Sequence, residues 1–221
     1  KTADFIAFCR QRIELIKIWL RQDRAELIER CVDEIIDVLQ AESGSFENNS
    51  RSGLEDAMNS FLDCKVLATY VAPQNASVIL DALSSAEKYF KIIELDFHIQ
   101  PIVDKYRQAE GVYKFSTSGV FAPTPYDELL VILQKAGLRE GMKYASLGSG
   151  LGHDVFIAGN IFNASASGWE NDFELFTDSC QIAQRLRMVR WFTAKAPETE
   201  LINRSFLDDT VDLSDFDVLY W

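Results

Sequence analysis

From Ala3 to about Arg107 the apolar residues return at intervals of three and four: Phe5, Phe8, Ile13, Ile16, Trp19 and Leu20, then Leu27, Cys31, Ile35, Ile36 and Leu39. This spacing gathers side chains into one stripe of an α-helix, so it predicts amphipathic helices, with a turn near Arg21 to Asp23 and a loop at AESGSFENNSRSG. Further helices fit Leu54 to Tyr70 and Ser77 to Leu95, with a last one after Pro101. Residues 1–110 therefore read as an all-α helical domain. Its charged faces read as solvated surface, and Trp19, Tyr89 and Phe90 as packing. His98 has no ligand-like neighbour, and this half discloses no chemistry.

The rhythm breaks at GVYKFSTSGVFAPTP, residues 111–125, where Gly, Ser, Thr and Pro displace the helical period. Proline fixes its own φ and biases the preceding residue towards extended backbone, so APTP should be extended and a helix should start at or just after Pro125. The segment reads as a linker or a lid. Beyond it, helices fit Tyr126 to Lys135, Asp154 to Phe162 and Asp172 to Phe192, and strands fit KYASL, SASGWE, ELINRS and FDVLYW. Strands that alternate with helices predict, over 126–221, an α/β domain: a Rossmann-like doubly wound parallel sheet preceded by the helical domain. Its ligand belongs outside the carboxyl ends of the strands. A start at Lys1 without methionine and a stop at Trp221 inside an apolar run read as a fragment, with the sheet incomplete at its C-terminus.

Charge narrows the partners. A net charge of −12 sets the field of the whole chain against a polyanion, so nucleic acid is a poor partner. No apolar run approaches the ~20 residues of a membrane span and no basic leader precedes one, which reads as no membrane partner. Cys9, Cys31, Cys64 and Cys180 are scattered, with no metal-ligand spacing, and read as reduced thiols of a cytoplasmic protein without a metal site.

The candidate chemistry lies in YASLGSGLGHD, Tyr144 to Asp154. Gly148, Gly150 and Gly152 fall where a strand hands over to a helix, and without a Cβ they let a ligand approach the main chain. The dinucleotide fingerprint GxGxxG needs a small residue at 153, where this chain has His153. About 20 residues on, SGWEND places Glu170 at the end of the second strand of the α/β domain, where a carboxylate can accept both hydroxyls of a ribose. A plain surface acid is the alternative reading of Glu170. Tyr126 and Asp127 read equally as entry-helix capping and packing.

FAPTPYDELLVILQKAGLREGMKYASLGSGLG resembles the entry to class I methyltransferases, above all the branch of Dot1-like protein lysine methyltransferases and their bacterial relatives, with its PTP segment, helix and LGSGxG loop. The resemblance covers roughly Phe121 to Trp221. It implies S-adenosylmethionine as cofactor, with Ser146, Gly148, Ser149, Gly150, Gly152, Glu170, Asn171, Ser205 and Phe206 as its contacts. The family usually carries an acid where this chain has Ser146, and often another where NRSFLDD offers Ser205 and Phe206, with Asp208 as the alternate. The implied function is S-adenosylmethionine-dependent methyl transfer to an unidentified acceptor, protein or small molecule. Methyl transfer from a sulfonium releases a neutral group, so it needs alignment more than acid–base machinery, and no catalytic residue is assigned. Tyr220 and Trp221 are candidates for an acceptor channel, and the helical domain for substrate recognition or homodimerisation. Two readings stay open beside this one: a catalytically silent methyltransferase-like interaction domain, suggested by Ser146 and Ser205, and an NAD(P)-dependent oxidoreductase, disfavoured by His153.

Overall fold

The computed structural model describes residues 2–22, 24–42, 55–63, 76–106, 115–116, 119–120, 122–187 and 199–221. The chain divides into two compact units, Lys1–Glu94 and Leu95–Trp221.

In the first unit, helices α1 (Thr2–Leu20) and α2 (Ala25–Glu42) pack on each other. The predicted three–four spacing is the buried stripe: Phe5, Cys9, Ile13 and Ile16 of α1, with Ile28, Cys31, Val32, Ile35 and Leu39 of α2. Residues 55–63 are helical, and the rest of the predicted Leu54 to Tyr70 helix, like most of the loop before it, lies outside the described residues. Helix α3 (Ala76–Val103) contributes Phe90, whose ring meets Phe5 at 6.1 Å and Phe61 at 5.9 Å. Ion pairs Arg10–Glu94 at 2.6 Å and Arg12–Glu34 at 2.7 Å flank this core.

The expected break at Pro101 is absent. Helix α3 runs through it to Val103. Proline lacks only its own N–H and crowds the carbonyl a turn before it, and with two helical residues left the penalty stays within the last turn. The chain then leaves through tight turns, in which Lys105 and Tyr106 donate to the carbonyls of Ile102 and Val103.

The second unit opens with a pair of two-residue strands, β1 (Phe115–Ser116) and β2 (Gly119–Val120), antiparallel to each other, where sequence composition predicts only a linker or lid. Next come α4 (Tyr126–Lys135), β3 (Lys143–Leu147), α5 (His153–Ile161), β4 (Ser165–Glu170), α6 (Phe173–Arg187), β5 (Thr199–Asn203) and β6 (Val218–Tyr220). The four longer strands form a parallel sheet in the order β5-β4-β3-β6, the predicted doubly wound arrangement. Three consecutive residues of β3, Tyr144, Ala145 and Ser146, are buried, as a strand covered on both faces requires. Every residue of α5 is buried. Asp172 stands one residue outside α6, and its Oδ1 accepts the N–H groups of Glu174 at 2.9 Å and Leu175 at 3.2 Å, an N-cap that fixes where the helix begins.

The strand order reverses at β3: β4 and β5 lie on one side of it, β6 on the other. A crevice therefore opens outside the carboxyl ends of β3 and β6, where connections depart to opposite faces.

Candidate functional site

A cavity of about 330 Å³ occupies this crevice. One wall is the end of β3 and the turn after it: Ser146, Gly148, Ser149 and Gly150. Another is the end of β4, with Trp169, Glu170 and Asn171, and Ser205 and Phe206 follow β5 along the same side. His153 and Asp154 enter from the first turn of α5, and Tyr220 from the end of β6. The end of the 111–125 segment, Ala122 to Thr124, borders it too. Eight of the nine residues expected as cofactor contacts thus meet around one space, and Gly152 alone of them does not line it.

Gly152 shapes the turn instead. It precedes α5 with φ +82°, its N–H donates to the Ser149 carbonyl at 2.7 Å, and a Cβ there would stand 2.9 Å from the Phe156 ring. At Gly148, with φ +90°, an added Cβ would meet no atom within 4 Å, so the chain passes the cavity with open space beside it.

The loop's own N–H groups are turned inward. Those of Gly148 and Ser149 both donate to the Trp169 carbonyl at 2.9 Å, and that of Gly150 donates to Glu170 Oε2 at 2.8 Å. Glu170 Oε1 accepts the Asp172 N–H at 2.7 Å. Glu170 is 7% exposed, which overturns the surface-acid reading: it is a buried carboxylate joining the glycine loop to the turn after β4. Each of its oxygens keeps further acceptor capacity towards the cavity it lines. Ser149 Oγ is buried there with no hydrogen-bond partner among the described residues.

Asp154, which sequence reasoning passed over, is 5% exposed at the cavity wall, and its Oδ2 accepts the Tyr144 hydroxyl at 2.6 Å. Burial pushes its carboxyl above the usual range, and the hydroxyls of Ser146 and Tyr144 pull against that shift. The available signal was an acid in the first turn of an otherwise apolar helix, HDVFIAGNI, straight after a glycine loop. His153 packs its ring 5.4 Å from that of Tyr126, and burial depresses its pKa to about 4, so it is neutral near pH 7. Thr124 Oγ1 and the Tyr220 hydroxyl share a hydrogen bond of 2.9 Å. Trp221 does not line the cavity and is 86% exposed. Asp208, the alternate for the second acid, is also outside, paired with Arg204 at 2.8 Å.

Among the described residues, the charged side chains that line this cavity are the carboxylates of Asp154 and Glu170, with no lysine or arginine. Among the described residues, a pyrophosphate would meet two anions, no cationic side chain, and a loop whose amides at 148, 149, 150 and 152 already have partners. This is the physical case against the NAD(P) reading. A cationic ligand carrying a diol matches the same walls.

The model of the family described as "Histone methylation protein DOT1" matches residues 97–216, more than half of the chain and nearly all of the second compact unit. A comparison with curated proteins yields no match.

Proposed function

The chain belongs to the DOT1 histone-methylation family, and is thus an S-adenosylmethionine-dependent methyltransferase; from this premise we propose that the cavity at the β3–β6 switch point holds the cofactor and opens to an amine as methyl acceptor. The observation that carries the reading is the lining charge: two buried carboxylates and, among the described residues, no lysine or arginine, around a ligand whose sulfonium and ammonium outweigh its one carboxylate. The unpartnered Ser149 Oγ and the open space beside Gly148 fit a group that lies along the loop.

When bound, the cofactor supplies an activated methyl group on a positively charged sulfur. The protein's part is to hold and to orient. Glu170 receives the ribose hydroxyls with the acceptor capacity its two backbone partners leave. Asn171, Ser205 and Phe206 form the wall beyond it, where a flat, apolar base with polar edges would lie. The Thr124–Tyr220 hydrogen bond ties the end of the 111–125 segment to the sheet at the cavity rim, which helps keep water from the reacting atoms. No general base is required if the acceptor amine arrives deprotonated. The family description, together with a chain of net charge −12, favours a lysine of a basic peptide as that acceptor.

Calorimetry with S-adenosylhomocysteine and with NAD tests the cofactor site. The nucleoside should bind and NAD should not. Glu170→Ala should weaken the nucleoside about ten- to a hundredfold, the loss expected of hydrogen bonds to a charged acceptor worth ~1.5–3 kcal/mol. Because Glu170 also satisfies two backbone N–H groups, the same variant should lose about 1–3 kcal/mol of stability. Equal affinities in wild type and variant would refute the assignment.

A further inference from the structure

Asp154 is a carboxylate that the reading above leaves without a task. It is not at the surface, where an acid needs no explanation, but 5% exposed, on the first turn of a helix whose other residues are all buried, and at the wall of the ligand cavity. The chain holds it there deliberately. Tyr144, fully buried in the middle of β3, spends its hydroxyl on Asp154 Oδ2 at 2.6 Å. Ser146, two residues further along the same strand, turns its hydroxyl towards the same carboxyl. Both are strand residues on the face that α5 covers, and the glycine turn brings position 154 back over position 146.

A buried carboxylate costs several kcal/mol unless a cation or several donors compensate it; Asp154 has the hydroxyls of Tyr144 and Ser146 and the backbone N–H groups of Val155 and its own residue, and among the described residues no lysine or arginine lines the cavity to complete its neutralisation. Glu170 stands at the end of another strand, with its oxygens directed to the glycine loop and the turn after β4. The cavity thus has two separated anionic points. The cofactor proposed for it has two groups that call for a carboxylate: a diol, and the ammonium of its amino-acid end.

We propose that Asp154, steered by the hydroxyls of Tyr144 and Ser146, receives the α-ammonium group of the cofactor, so that the charge this site needs is supplied from helix α5 and not from strand β3, where Ser146 stands. This assignment rests on the cofactor reading above. Asp154 acts by charge-assisted hydrogen bonding to the ligand, and Tyr144 and Ser146 act through Asp154 as positioning residues. The arrangement also gives Ser146 a role: a second carboxylate at that position would lie beside the first, and a hydroxyl there donates to it instead.

The test is a cycle between one side chain and one ligand group, measured by calorimetry. S-Adenosylhomocysteine is compared with its desamino analogue, in which hydrogen replaces the α-amino group, on wild type and on Asp154→Asn. In wild type, loss of the amino group should weaken binding tenfold or more. In Asp154→Asn the two ligands should bind within about twofold of each other, and the desamino analogue should bind as it does to wild type, which also shows that the variant is folded. A double variant, Ser146→Asp with Asp154→Val, restores a carboxylate from the strand side and should recover discrimination between the two ligands. If the amino group contributes equally in wild type and Asp154→Asn, the assignment is wrong while the cofactor site stands. If wild type binds neither nucleoside, the cofactor reading fails, and this assignment with it.

Discussion

His153 shows how a residue can be read correctly as an obstacle and yet be more than that. In the sequence it excluded a dinucleotide fingerprint and read as a helix-start residue in preference to a base, because nothing in GLGHD tells whether the ring is inside or outside. Folding encloses it against Tyr126 and lowers its pKa from 6.5 to about 4 by burial alone. Above pH 6.5 the ring is neutral in both native and unfolded chains and contributes no pH dependence. Between 6.5 and about 4 the unfolded chain takes up a proton that the native chain refuses, so stability falls with falling pH, by about 3 kcal/mol over the whole window. Asp154 works in the other direction: its raised pKa lets the native state take up a proton before the unfolded one, which offsets part of the same loss as pH falls towards the ordinary carboxyl range. Urea unfolding of wild type and His153→Gln near pH 7 and near pH 4.5 isolates the term. The wild type should lose more stability between those two conditions than the variant, and parallel losses would refute it. Glu170 was legible as a candidate because a carboxylate at the end of the next strand, about 20 residues past the glycine loop, is bound to come near that loop, and it does line the cavity. Asp154 was not, because its partners Tyr144 and Ser146 are ten and eight residues away and meet it only once the turn between strand and helix has closed.

Among the elements, those with a strong period were legible and those decided by a few atoms were not. The paired strands β1 and β2 are two residues long, too short for any alternation to show, and Pro101 falls so late in α3 that a breaker became an ornament of the last turn. In β4, Gly168 looks in the sequence like a weakness in a strand. In the fold it is a clearance. A Cβ there would lie 2.8 Å from both Ser149 Oγ and Val155 Cγ2, so the glycine loop and α5 can settle on the sheet only because that carbon is missing. Gly168→Ala should therefore cost about 1–3 kcal/mol of stability through overpacking and, by lifting Ser149, weaken S-adenosylhomocysteine. Unfolding and calorimetry on one preparation would show whether both changes occur. Stability and affinity unchanged together would mean that the loop yields without consequence.

For the whole molecule, the parallel sheet followed from alternating elements, while the strand order that makes β3 the switch point is nowhere in that alternation. Composition changes most sharply after residue 110, yet contacts separate Lys1–Glu94 from Leu95–Trp221, inside the continuous helix α3, and the family match starts at residue 97. Helical period tells that a helix continues, not which core each of its turns serves. The net charge of −12 acts at this scale too. If the acceptor is a basic peptide, long-range attraction should lower KM at low ionic strength, and KM should rise steeply as salt approaches about 0.1 M, where the Debye length is about 10 Å, with little change in kcat. A neutral small-molecule acceptor would show a flat salt profile. Finally, the hydrogen bond from the Gly150 N–H to Glu170 Oε2 makes that amide a resident gauge of occupancy. A ligand that draws on the carboxylate must alter the electron density its amide partner meets, and one that steadies the loop must slow the exchange of that proton with solvent. By reciprocity, a ligand that binds only while the Gly150–Glu170 bond is closed suppresses opening of that bond in proportion to its occupancy, so a single backbone resonance would report both the filling of the site and the order of the turn that builds it.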